Sequence, residues 1–324
     1  MTTKLLVLML FFSSFLAHGD STCRYAKSPG NVLTAGDGLC SPNTSACIVD
    51  STCAEVWHTP ASDVVKFTNV NRLGDMSQYA LTALEIQNCS VPFTFDASFK
   101  LPDQLNTFAL ENCLLMDDNL PNNVAWPEML HELHLGKNQL DKIPSGLPSS
   151  LISLWLNDNQ LTDLPRQPTV TKTLHAASNK ITQLSAEYSS MSQAVKIHLA
   201  GNPIARISKV DFSSSLVLFD CAGCAITTFE LSRSSLEILD KLGPYNAASD
   251  TGFLVATVAF NATSCSDLNG EMKLLQNLYP VCVLDPIQTA PPPTTYDAPN
   301  STWLYIGIAV AILLLLLCCS LCYL

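Results

Sequence analysis

The chain is short of charge before anything else. Only 14% of its 324 residues are Asp, Glu, Lys or Arg, where an average soluble domain carries roughly 25%. Basic residues are the scarcer kind, 17 against 28 acidic, for a net charge of −11. Nucleic-acid binding needs clustered cations to displace counterions from phosphate, so that class is excluded. Glycine, at 13 residues, is too rare for collagen or a Gly-rich linker protein. Catalytic signatures are missing as well: there is no GxGxxG loop, HRD or DFG set, GxSxG elbow, phosphate-binding loop or HExxH. We therefore expect no enzyme, no catalytic residues, no cofactor and no resident metal.

What is abundant is cysteine, at 13, and apolar sequence at both ends. Residues 1–19 read MTTKLLVLMLFFSSFLAHG, with small residues placed for cleavage after Gly19; a secretory signal peptide is expected. Residues 303–324 hold IGIAVAILLLLLCC behind Trp303 and Tyr305. As a helix this segment would span about 33 Å, enough for a bilayer core, with the two aromatics at the outer interface. No Lys or Arg follows Lys273, so the expectation is a membrane helix without a cytoplasmic part. The alternative is a GPI-attachment signal, which the prolines of Ala290–Thr295 suit poorly. Cys318, Cys319 and Cys322 admit palmitoylation or plain helix filling. Residues 285–302 contain five prolines and five Ser or Thr, the composition of an extended stalk.

Between these ends lies a repeat. LHELHLGKNQLDKIP from Leu130 and LISLWLNDNQLTDLP from Leu151 both read LxxLxLxxNxL. The same phase returns at Leu81, Leu105, Thr171, Ala194 and Leu216. Its ladder position is held by Cys89, Cys113, Asn138, Asn159, Asn179, Asn202 and Cys224, at spacings of 24, 25, 21, 20, 23 and 22 residues. The apolar positions point inward from a short strand, and the Asn side chain serves backbone groups otherwise buried unpaired. Cysteine, small and a weak donor, substitutes for it.

This pattern resembles the leucine-rich-repeat family. The resemblance implies an α/β-type solenoid: short parallel strands on a concave face, an irregular, 3₁₀ or helical convex side, and capping units at each end. The expected organisation is a Cys-rich N-terminal cap over 20–80, repeats over 81–230, and a degenerate repeat with a C-terminal cap over 231–284. LEILDKL, from Leu236, reads as a worn last rung and FLVATVAF, from Phe253, as a strand beyond it. Cys23, Cys40, Cys47, Cys53, Cys265 and Cys282 flank the repeats in even number and read as cap disulfides, the pairing among the first four left open. Cys89 and Cys113, on adjacent rungs, fit either a disulfide or buried thiols. The Cys221-Ala-Gly-Cys224 pair reads as core filler rather than a redox or zinc motif, for no second ligand pair completes it. The segment 264–285, chiefly Cys265 and PVCVLD, looks like the closing cap of oomycete-type receptor-like kinases of the tyrosine-kinase-like group. That family carries a kinase after the membrane helix; in this chain none is expected.

In such an array the middle outward column is Glu85, Ala109, His134, Trp155, His175, His198 and Asp220, flanked by Glu132 and Ser153 and by Lys137, Asn157 and Asp158. A Trp among histidines on consecutive rungs suggests a binding stripe of His134, Trp155, His175, His198, Glu132 and Asn157, sensitive to pH near 6–7. Sequons at Asn43, Asn88, Asn261 and Asn300 suggest N-glycosylation. The reading is a receptor-like protein at the plasma membrane that engages an extracellular protein, peptide or glycan and relies on a signalling co-receptor. A truncated receptor kinase and a GPI-anchored adhesin are the alternatives.

Overall fold

The computed structural model describes residues 23–27, 30–36, 38–59, 66–164, 171–185 and 191–284. The expected signal peptide, stalk and membrane segment, Asn300, and Cys318, Cys319 and Cys322 lie outside these residues. Among the described residues no helix is long and apolar enough to cross a membrane.

Each repeat contributes one short strand to a nine-stranded parallel sheet. In chain order its strands are Lys66–Phe67, Ala83–Gln87, Thr107–Glu111, Glu132–His134, Ser153–Trp155, Thr173–His175, Lys196–His198, Leu218–Ile226 and Gly252–Val258. Every strand pairs with the next in sequence, as a solenoid requires. The strands are three residues long in the centre because only one apolar residue per strand needs burying between two outward ones. Leu133, Leu154, Leu174, Ile197 and Phe219 form that inward row, none more than 5% exposed. A second row, Leu135, Leu156, Ala176 and Leu199, is fully buried where the chain turns off the sheet. The sheet starts one turn before Leu81, at Lys66, and runs one past the repeats, to Val258.

The Asn ladder closes those turns. Asn138 Oδ1 accepts from the backbone N–H groups of Cys113 and Leu115 at 3.0 and 3.1 Å, while Nδ2 donates to the Leu110, Leu135 and Gly136 carbonyls. Asn159, Asn179 and Asn202 repeat the scheme, accepting from Leu140, Leu161 and Ile181 and donating to carbonyls of their own and the preceding rung. Each side chain thus replaces backbone partners lost where the strand bends, and is itself at most 7% exposed. The residue before each ladder position has positive φ: Asn88, Asn112, Lys137, Asp158, Ser178, Gly201 and Gly223.

All three ladder cysteines are in disulfides rather than acting as weak donors. Cys89 bonds Cys113 on the next rung. Cys221 and Cys224 are fully buried in the main core, as core filler would be, and are bonded to each other within one strand: left-handed Gly223 (φ 81°) bends it so that the two Cα atoms approach to 5.4 Å. In the caps the pairs are Cys23–Cys53, Cys40–Cys47 and Cys265–Cys282.

The convex side carries more strand than expected. At the N-terminal end, Val32–Thr34 pairs antiparallel with Cys47–Val49 and parallel with Arg72–Asp75, which continues to Thr94–Lys100. Tyr25, Val32, Cys47 and Val49 make a small core of their own beneath it. At the other end a five-stranded sheet stacks Gln183–Ser185, Arg206–Ser208, Thr228–Ser232, Tyr279–Leu284 and Glu271–Leu275. Only the centre follows the irregular expectation, with a 3₁₀ turn at Asp117–Asn119. The LEILDKL segment is not a rung. Its first five residues lie in the helix Arg233–Asp240, which Ser232 starts by accepting from the Ser235 N–H at 3.1 Å.

Candidate functional site

The register of the long sheet aligns one outward column: Lys66, Glu85, Ala109, His134, Trp155, His175, His198, Asp220 and Leu254. Its middle four members are all planar rings, and parallel strands about 4.8 Å apart bring such rings within stacking distance. They stack. Ring centroids are 5.1 Å apart from His134 to Trp155, 3.5 Å from Trp155 to His175, and 4.2 Å from His175 to His198, with interplanar angles of 8°, 10° and 12°.

This arrangement changes what Trp155 offers. Both faces of its indole are covered by imidazoles, so it is half-buried and presents an edge rather than a flat anchor. The four rings stand like a row of plates whose rims face outward. The row of ring edges runs across three strand spacings, with the Nε2 atoms of its two end histidines buried within it.

Carboxylates flank the row at both ends. Beside His134, Glu111 Oε1 lies 3.6 Å from Nδ1 and Glu132 Oε2 3.7 Å from Nε2. Beside His198, Asp250 Oδ2 lies 3.4 Å from Nε2 and accepts from Lys196 Nζ at 2.7 Å. Neither His134 Nε2 nor His198 Nε2 makes a hydrogen bond, although both atoms are buried. Burial would raise the Asp250 carboxyl, but the Lys196 ammonium and the nearby histidines hold it below the usual carboxylate range.

Burial governs the histidines too. It pushes His175 down to about 3, with His198 acting in the same direction. His198 is also lowered, by burial first, against the opposing pull of Asp250 and Asp220. A neutral His175 is both donor and acceptor at pH 7. The sensitivity near pH 6–7 expected of these rings is thereby corrected for His175, which stays neutral throughout that range, and moved downward for His198.

The remaining stripe residues divide. Glu132 is exposed and accepts from the Thr107 hydroxyl at 3.5 Å. Asn157 is committed to structure, its Oδ1 accepting from the Ala177 N–H at 2.8 Å. Asp250 was missed by sequence reading because it enters from the loop before Gly252–Val258, outside any repeat. Glu111 was missed although it holds on its own rung the place of Asn157, two positions before the ladder residue, because that column was named only on later rungs. Among the described residues no group of three or more His, Cys, Asp or Glu is placed to hold a metal ion. Of the sequons, Asn43 and Asn88 are exposed, Asn88 accepting from Asn112 Nδ2 at 2.8 Å. Asn261 is exposed and caps the helix Ala262–Asp267 by accepting from the Ser264 N–H.

No family model matches the chain. Over 56 residues it is 38% identical to Lumican of Oryctolagus cuniculus, a stretch that covers 17% of this chain and 29% of that protein. The match thus spans less than a third of that relative. Ten cysteines joined in five disulfides belong to an oxidising compartment. Together with the strand register and the Asn ladder, they make this a leucine-rich-repeat-type solenoid of an extracellular or secreted protein.

Proposed function

We propose that the chain is a non-catalytic recognition protein of the cell surface, binding an extended protein or peptide segment along the ring column His134–Trp155–His175–His198. The observation that carries this reading is the stack itself. Four aromatic rings on consecutive rungs fix one another edge-outward, so little side-chain entropy remains to be lost when a ligand docks. Covered faces favour a peptide, with its regular amides, over a glycan, which ordinarily lies on an open aromatic face. The flanking Glu111, Glu132 and Asp250 favour ligands with basic or amide donors at the ends of the contact.

Attachment to the membrane would come from 303–324, whose apolar composition supports a spanning helix, and an inward signal would pass through a co-receptor. Release of the chain from cells by a phosphatidylinositol-specific phospholipase would instead assign a GPI anchor. The cap built on Cys265 and Cys282 is the one observation that favours a receptor-kinase relationship; a transcript reading on from Leu324 into a kinase would establish it.

The binding test is a displayed random-peptide library selected against the full chain. Selected peptides should lose tenfold or more in affinity on Trp155→Ala and on His175→Ala, and little on Lys180→Ala, which lies away from the column. A tenfold loss is about 1.4 kcal/mol, within the range of an interface anchor. Peptides that bind Trp155→Ala as well as the parent would remove the column as the site.

A further inference from the structure

Exposed apolar side chains are unevenly spread over the molecule. Leu268, Met272, Leu274 and Leu278 are 46%, 51%, 50% and 66% exposed, and all fall between residues 268 and 278. They surround Glu271–Leu275, the last strand of the C-terminal convex sheet. One flank of that strand pairs antiparallel with Tyr279–Leu284; among the described residues the other is a sheet edge. Its inner face ends at Leu275, which is fully buried, next to Gln276, whose amide donates to the Leu239 carbonyl at 3.2 Å. By strand alternation Met272 and Leu274 then share the opposite face.

A sheet edge flanked by exposed Met and Leu is a template for another strand, and proteins usually blunt such edges with charge. Here the blunting is incomplete, because Lys273 Nζ is held by Glu271 of the same strand. The charge order also selects a partner. An antiparallel pairing of this strand with itself, centred on Met272, places Glu271 opposite the partner's Lys273 and Lys273 opposite the partner's Glu271. Leu274 then meets the partner's Gly270, which has no side chain to obstruct it. Centring the pair one residue either way sets Lys273 against Lys273 or Glu271 against Glu271, which is unfavourable. One two-fold register is thus complementary in charge and in shape, and its neighbours are not.

We propose that Glu271–Leu275 is a homodimerisation edge, joining two copies of this chain across a two-fold axis at Met272. The two five-stranded convex sheets become one sheet of ten strands, and the long sheets with their ring columns are left free. This pairing is independent of what the ring column binds.

The test uses the full chain at the cell surface or in detergent. In the Met272→Cys variant the two copies of that position face each other within disulfide reach, so mild oxidation should yield a covalent dimer on a non-reducing gel. Leu274→Cys, opposite Gly270, should crosslink at least tenfold less, no more than the parent chain. In the Met272→Cys background, Glu271→Lys or Lys273→Glu alone should reduce crosslinking tenfold or more, and the two together should restore it. All these positions are exposed or at the edge, and secretion with the five native disulfides verifies folding. Equal crosslinking of Met272→Cys and Leu274→Cys overturns the proposal, as does failure of the double charge swap to recover the dimer. A chain monomeric at every concentration, its edge taken by some other strand, overturns it too.

Discussion

Trp155 and His175, on neighbouring strands, lie face to face with ring centroids 3.5 Å apart, closer than the roughly 4.8 Å between the strands that carry them. The rings therefore lean together. Trp155 covers one face of His175, and His175 hides one face of the indole from water. This mutual cover links the stability of the solenoid to the ionisation of a residue in its ring column.

Replacing Trp155 by Ala should re-expose His175. Burial is the leading cause of its low pKa, so the value should move up toward the ordinary 6.5. Titration of the imidazole resonances by NMR checks this. A His175 that stays near 3 in the variant would show that the indole is not what desolvates it.

The same residue predicts an acid limb in stability. The folded pKa of His175 is about 3, below its ordinary 6.5. Below pH 6.5 the unfolded chain takes up a proton that the folded chain refuses. Stability contributed by the neutral form is thus present above pH 6.5 and lost as the pH falls toward 3. In His175→Phe, which keeps a stacking ring, the fall in Tm between pH 6.5 and 4 should be shallower than in the parent. Parallel curves for the two proteins would place the acid sensitivity elsewhere.

The Asn ladder predicts a larger effect. Asn159→Ala leaves the Leu140 N–H without its partner and removes one of two side-chain donors from each of the Leu135 and Leu156 carbonyls, which keep Asn138 and Asn179. A buried N–H left unpaired costs about 1–3 kcal/mol, and the two weakened carbonyls add to it. A loss of about 3 kcal/mol is expected in denaturant unfolding. Gln160→Ala, one residue on and at the surface, should cost under about 0.5 kcal/mol.

The ladder and the strand register were legible in the sequence because one constraint repeats. Every turn needs inward apolar residues and a buried Asn at the same phase, so a period survives variation elsewhere. The convex strands were not legible, since Gln183–Ser185 and Arg206–Ser208 are three residues long and owe their form to stacking on the next turn. The left-handed position before each ladder residue was hidden by its occupants: only Gly201, Gly223 and the two Asn residues announce it, while Lys137, Asp158 and Ser178 do not. The Cys221–Cys224 bond escaped notice because register places both side chains inward, and it is Gly223 that turns them toward each other. For the ring column, sequence placed the four residues in one row but did not show that their ring faces are spent on one another.

The hidden left-handed positions can be tested. A side chain there costs roughly 1–2 kcal/mol relative to glycine, so Lys137→Gly, with φ already at 56°, should stabilise the protein by about 0.5–1 kcal/mol once glycine's chain entropy, about 0.5–1 kcal/mol, is subtracted. Lys137→Val should destabilise it, because a β-branched residue tolerates this region least. The midpoint of chemical unfolding for the two variants measures both signs.

The two disulfides at ladder positions should differ in weight, and their order distinguishes a crosslink from a local clip. Cys89–Cys113 closes a sequence separation of 24 residues, Cys221–Cys224 one of 3. In the chain-entropy model the longer loop contributes about 3.5 kcal/mol and the shorter about 2 kcal/mol. Cys89→Ala with Cys113→Ala should therefore lower stability more than Cys221→Ala with Cys224→Ala. Cys113 accentuates the gap, since its N–H donates to Asn138 and the crosslink steadies that hydrogen bond as well. If the short pair proves the costlier to remove, the bend at Gly223 depends on its disulfide for packing, and loop closure is the lesser effect.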